Sequence, residues 1–209
     1  MNTLARLQWQ TVTNVRDIGQ LFVFEGPDGS GKSTLSTAFA SHLEAKGIEI
    51  EHCSFPGQEV GTLGKLVYSL HHVPVETGVE VLTPTSLQLL HIAAHADAIE
   101  SKILPAIKAG KTVVLDRYWW STWVYGKVNG ILVPTLEAML HVEQLVWKGF
   151  QPSRIFLIER NSSLVTGNVQ EYEHLSAEYL NLARSEAKEN DVQYVNNDAS
   201  IEETLSYLI

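Results

Sequence analysis

Apolar residues along this chain change period several times, and each change marks an element. Leu21-Phe22-Val23-Phe24 is a continuous run of aromatic and β-branched side chains closing on Glu25-Gly26, as a buried strand does. Beyond it Leu35, Ala38, Phe39 and Leu43 recur at helical spacing until Gly47, so strand, loop and helix are expected in that order. A second strand fits IEIEHCSF at 48–55, and Pro56 and Gly57 break it ahead of a helix at 63–70. VPVETG at 73–78 reads as a turn. Thr83 and Pro84 supply a cap and a first residue for a long helix through Leu104, kinked or ended by Pro105.

KTVVLD at 111–116 then predicts a buried strand, TLEAMLHVEQLVWKG at 135–149 a helix and RIFLIE at 154–159 a strand. A helix at 172–188, a short strand at 192–196 and a C-terminal helix complete the chain. Strands alternating with helices require crossover connections, and so a mainly parallel sheet covered on both faces. Residues 1–20 are weakly patterned and are set apart as an N-terminal arm; 21–209 are expected to form a single domain.

Composition narrows the function classes. A chain of 209 residues can bury about 70% of its unfolded surface without disulfide staples. Lys and Arg number 15 against 24 Asp and Glu, and a net charge of −9 argues against a broad footprint for nucleic acid or an anionic membrane. Cys53 is the sole cysteine, so no intrachain disulfide can form and a reducing compartment is expected. No segment approaches the ~18 continuous apolar residues of a membrane span. The opening MNTLARLQWQ lacks an apolar signal core. A soluble, cytoplasmic protein is the expectation, and a small anionic ligand remains open to it.

The chemistry starts between the first strand and its helix. GPDGSGKS, Gly26 to Ser33, satisfies G-x-x-x-x-G-K-[ST] in the context that the motif demands. Gly26, Gly29, Ser30, Gly31 and Thr34 belong to a backbone that curls around phosphate oxygens at a helix N-terminus. Lys32 reaches the outer phosphates, and the Ser33 hydroxyl can ligate Mg²⁺. The pattern calls for a nucleoside triphosphate and leaves its fate open.

Asp116 ends a buried strand, where a carboxylate needs exposure or a partner; in a phosphate-loop protein it suits help with Mg²⁺. Arg117 offers a planar fork matched to phosphate. Around them DRYWWSTWVYG, residues 116–126, crowds five rings into eleven positions. Tyr118, Trp119, Trp120 and Trp123 read as packing or interface, while the polar residues between them read as site.

Together, FEGPDGSGKSTL, FPG and LLHIAAHADAIESKILPAIKAGKTVVLDRY, followed by Ser121 and Tyr125, resemble the thymidylate kinase family from about residue 21 onward. The resemblance implies a P-loop NTPase-type three-layer α/β sandwich on a five-stranded, mainly parallel sheet. It implies phosphoryl transfer from ATP to a deoxynucleoside monophosphate with Mg²⁺, commonly in a homodimer. On the matching positions, Asp28 lies near the acceptor's sugar and the reacting phosphates, and Arg117 grips the acceptor's phosphate. Ser121 and Thr122 line the acceptor site, Tyr125 favours 2′-deoxyribose, and Phe55 forms the pocket floor.

Three departures keep alternatives open. Where the family usually stacks a phenylalanine on thymine and hydrogen-bonds the base with an arginine four residues later, this chain has His91 and His95. FPGQEVG carries Gln58 and no arginine after the second strand; the nearest cation is Lys65. The stretch after the fourth strand, ERNSSLVTGNVQEYE, holds Arg160 alone, although Gly29 in the loop usually accompanies a lid bearing transition-state arginines. A kinase of another nucleotide, nucleoside or small acceptor therefore stays open, as does a nucleotide-binding protein with lost or partner-dependent catalysis.

Overall fold

The computed structural model describes residues 18–165 and 168–209. Most of the expected N-terminal arm thus lies outside the described residues. Five strands, β1 (Leu21–Glu25), β2 (Ile50–Ser54), β3 (Thr112–Asp116), β4 (Arg154–Glu159) and β5 (Val192–Asn196), form one all-parallel sheet in the order β2-β3-β1-β4-β5. The register sets Phe24 beside Asp116 and Glu25 beside Leu157, so the carboxyl ends of β1 and β3 finish level.

Alternation along the buried strands divides the core between two faces. On one, Phe24, Val114, Phe156 and Ile158 pack against Leu35, Phe39 and Ala40 of α1 (Lys32–Ala45). Leu208, just past the short α9 (Ile201–Ser206), closes that layer. On the other, Val23, Leu115 and Leu157 meet Ile99, Ile103, Trp120 and Tyr179. Those side chains come from the long central helix, α6 (Trp119–Val128) and α8 (Val169–Glu186). α7 (Val133–Val146) lies outside them, its Met139 and Leu140 in a smaller cluster with Ile92, Trp119 and Trp123.

The expected long helix survives Pro105 by changing geometry. α4 (Pro84–Ala98) runs into a π-helical turn (Ile99–Ile103) and then α5 (Leu104–Lys108). The Leu104 amide donates to the Ile99 carbonyl five residues back, and Pro105, which has no amide hydrogen, falls in the first turn of α5. VPVETG holds a single helical turn, α3 (Pro74–Thr77), after α2 (Leu63–His72). The WWSTWVYG segment, left without an element by its sequence pattern, is helix α6. Tyr118 and Trp120 are core residues at its start, and Trp119 and Trp123 pack against that core.

Candidate active site

Phosphate loop and Asp-Arg turn meet above the ends of β1 and β3. Ser30 donates its amide to the Pro27 carbonyl at 3.2 Å, and the Asn197 side chain, just past β5, donates to the Ser30 carbonyl at 2.7 Å. These bonds brace the loop. Lys32 is almost fully buried at the start of α1, its Nζ 3.3 Å from both the Pro27 carbonyl and Asp28 Oδ1. Burial, then the charge of Arg117, pushes its ammonium down from the ordinary lysine value.

Arg117 adopts φ 73°, a left-handed conformation costly for an arginine and held by its surroundings. Its amide donates to the Phe24 carbonyl at 2.9 Å. Its guanidinium pairs with Asp28 Oδ1, donates to Ser121 Oγ at 3.1 Å, and lies 5.6 Å from the Tyr125 ring centre. The Tyr125 hydroxyl donates to Asp28 Oδ2 at 2.8 Å and accepts from the Asp28 amide at 3.1 Å. Burial alone would raise the Asp28 carboxyl, but Arg117, Lys32 and the Tyr125 hydroxyl hold it well below the usual carboxylate range. One exposed carboxylate thereby bridges Lys32 and Arg117.

A cavity of about 350 Å³ opens beside this network, within the range of small-molecule sites. Of the residues singled out in the sequence, Asp28, Ser33, Phe55, His91, His95, Asp116, Arg117, Ser121, Thr122 and Tyr125 all line it, as does Gln58. Gly26, Gly29, Ser30, Gly31, Lys32 and Thr34 do not line it: Ser30 and Lys32 are buried within the loop and the start of α1, and Thr34 is exposed on the first turn of α1. Lys65 does not line it either.

The two histidines divide. His95 is buried, its Nδ1 3.0 Å from the equally buried Glu143, and Phe55 stacks on its ring at 4.0 Å. His91, half-buried, faces His71 edge-on at 5.4 Å. Burial, reinforced by the neighbouring histidines and Arg117, pushes His91 down to about 3, so it serves as a neutral imidazole. Arg160 does not line the cavity: its guanidinium donates to the Asn197 carbonyl, while its own carbonyl accepts from the Tyr172 hydroxyl at 3.1 Å.

Asp116 Oδ1 is buried without a hydrogen-bond partner among the described residues, and the Ser33 hydroxyl faces the same cavity. An orphaned carboxylate oxygen in a cavity also lined by a serine fits a divalent cation. No cluster of three or more acidic, histidine or cysteine side chains that could hold a metal ion occurs among the described residues.

A family profile described as thymidylate kinase matches residues 24–200. The chain belongs to the thymidylate kinase family. The thymidylate kinase of Geobacillus sp. (strain WCH70) is 33% identical over 138 residues. That alignment covers 65% of this chain and 61% of the Geobacillus protein, so the match spans less than two thirds of that relative's length. The thymidylate kinase of Symbiobacterium thermophilum is 29% identical over 194 residues, 86% of either chain. The crystal structure of thymidylate kinase from Ehrlichia chaffeensis superposes with a TM-score of 0.73 at 20% identity, covering 91% of this chain and 96% of that one, and establishes the likeness of fold. The described cleft sets Asp28 and Ser33 of the phosphate loop beside Asp116 and Arg117, with a neutral His91 and the Glu143-paired His95 also among its lining residues.

Several residues beyond those singled out in the sequence build this site. Glu25 is fully buried between loop and α6, and a carboxylate ending a buried strand was the very signal that singled out Asp116. His71, His72 and Gln88 line the cavity from α2 and α4, whose contact no local pattern reveals. Among the described residues, no helix is long and apolar enough to cross a membrane.

Proposed function

We propose that the protein is an ATP-dependent nucleoside monophosphate kinase that passes the γ-phosphoryl group of ATP to a (deoxy)pyrimidine monophosphate, such as thymidine monophosphate or a modified analogue. The observation that carries this reading is that Lys32 of the phosphate loop and Arg117 both pair with Asp28, which lines the cavity together with Arg117. A triphosphate held by the loop and a monophosphate held by Arg117 would there meet end to end. In this reading Gly26, Gly29, Ser30, Gly31, Ser33 and Thr34 shape the donor cradle and Lys32 neutralises its outer phosphates. When bound, Mg²⁺, held by Ser33 and supported by Asp116, supplies charge neutralisation between phosphate oxygens.

Arg117 releases Asp28 to take the acceptor phosphate, and Asp28 and Tyr125 turn to the sugar. A tyrosine hydroxyl tied to Asp28 leaves a 2′-hydroxyl without room or partner, which favours deoxyribose. Phe55, His91, Ser121 and Thr122 enclose the rest of the acceptor, with His95 behind Phe55. The acceleration comes from positioning and charge neutralisation. A single domain at 21–209, a homodimer and a cytoplasmic setting complete the reading, supported by the family membership and the low cysteine count.

A second reading has its own support. Arg160 is engaged with Asn197, and an arginine on the transferring phosphate is worth roughly 4–7 kcal/mol of barrier in related systems. Such a chain binds nucleotide yet transfers slowly until a partner completes the site. A coupled ADP-release assay over a panel of nucleoside monophosphates separates the two. Turnover with a pyrimidine deoxynucleotide supports the kinase; tight ATP binding by calorimetry with no transfer to any acceptor refutes it in favour of the second.

A further inference from the structure

Glu25 is the last residue of β1, next to Gly26 of the phosphate loop, and is fully buried. Its Oε1 accepts from the Tyr118 amide at 2.7 Å and the Ser121 amide at 3.0 Å; its Oε2 accepts from the Ser121 hydroxyl at 2.8 Å. Tyr118 is the N-cap of α6 and makes no side-chain cap of its own, which places Ser121 at the third helical position. These two amides are the ones that a capping box satisfies with local side chains. Here one carboxylate satisfies both from a strand more than ninety positions away in sequence.

The same carboxylate governs what α6 presents. Ser121 Oγ, fixed by Glu25 and 2.8 Å from the buried Tyr179 hydroxyl, accepts the hydrogen bond from Arg117. Tyr125 lies one turn further along α6 and holds Asp28. Arg117, in its left-handed conformation, is clamped on both sides: its own amide bonds to the Phe24 carbonyl, and the next amide, Tyr118, bonds to Glu25. The phosphate loop, by contrast, keeps independent braces at Pro27 and Asn197.

We propose that Glu25 is a positioning residue that caps α6 from a distance and so sets Arg117, Ser121 and Tyr125 against the phosphate loop. The claim rests on the kinase reading for its consequence and on geometry alone for the cap. Weakening the cap loosens the acceptor side and leaves the donor loop in place.

The test uses the full chain and the isosteric variant Glu25→Gln, with Ser121→Ala as the second variant. Three quantities are read: hydrogen exchange at the Tyr118 amide, KM for thymidine monophosphate and KM for ATP. Loss of one buried hydrogen bond corresponds to about a tenfold effect. Glu25→Gln is therefore expected to speed Tyr118 exchange and to raise the acceptor KM about tenfold, with the ATP KM changed by less than about twofold. Ser121→Ala, which keeps both backbone bonds, is expected to raise the acceptor KM with Tyr118 exchange unaltered, and it carries the kinetic arm should Glu25→Gln fail to fold. Unchanged Tyr118 exchange in folded Glu25→Gln, or an equal rise in both KM values, overturns the proposal. So does an unchanged acceptor KM in Ser121→Ala. A wild-type chain that transfers to no monophosphate refutes the kinase reading instead, and the exchange measurement then still decides whether Glu25 is the cap.

Discussion

Replacing Gly31 by alanine tests the bracing of the phosphate loop. Gly31 is the N-cap of α1 at φ 88°, and a Cβ built on it lies 2.3 Å from Nδ2 of Asn197. That nitrogen is the donor to the buried Ser30 carbonyl. Alanine thus brings two costs: about 1–2 kcal/mol for a left-handed conformation, and about 1–3 kcal/mol for expelling Asn197 and orphaning the carbonyl. Gly47 separates them, because at φ 82° it has nothing within 4 Å of a built Cβ and carries only the first cost. In a domain of this size 1 kcal/mol shifts the melting temperature by about 2–4 °C. By that scale Gly47→Ala is expected to melt about 4 °C lower than wild type, and Gly31→Ala about 10 °C lower. ATP affinity by calorimetry should fall in Gly31→Ala alone, since only there does the cradle move. Equal melting temperatures for the two variants, or unaltered ATP binding in Gly31→Ala, would refute the view that Asn197 braces the loop.

Three further outcomes follow from the site. Arg117→Lys loses the fork that spans Asp28 and Ser121, so steady-state kinetics should show an acceptor KM higher by about 10²-fold with little change for ATP. Burial pushes the Cys53 thiol up to about 12, so labelling by a thiol reagent near neutral pH should be slow in the native protein and rapid after denaturation. Because His91 has its folded value pushed down to about 3, the unfolded chain takes up a proton near the ordinary histidine value while the folded chain does not. Its contribution to stability is complete above about pH 6.5 and declines as pH falls toward 3. Urea midpoints should drop on acidification, and His91→Phe should flatten that drop; an equal drop in both proteins would show that His91 titrates normally.

Much of the architecture was legible because parallel strands covered on both faces read as unbroken apolar runs. Leu21 to Phe24, Val113 to Leu115 and Ile155 to Ile158 announced the three central strands of the sheet in that way. α6 was not legible, since rings at consecutive positions point to α7 as well as to the sheet and leave no helical period. Pro105 carried a true constraint, but whether the helix ends or widens there depends on the neighbours that hold it straight.

At the site, the chain's own order of residues determined the chemistry on offer: a phosphate loop from Gly26 to Ser33, an Asp116-Arg117 pair ending a strand, and His91 and His95 one helical turn apart. Those features are local, set by residue type and short spacing. Tertiary structure alone decided how they are used. It turned Arg160 toward Asn197, buried His95 between Phe55 and Glu143, and brought Glu25 under a helix that begins more than ninety residues later. Hydrogen bonds and burial act through space, and a crossover connection can place any two strand ends side by side, so no spacing along the chain encodes them.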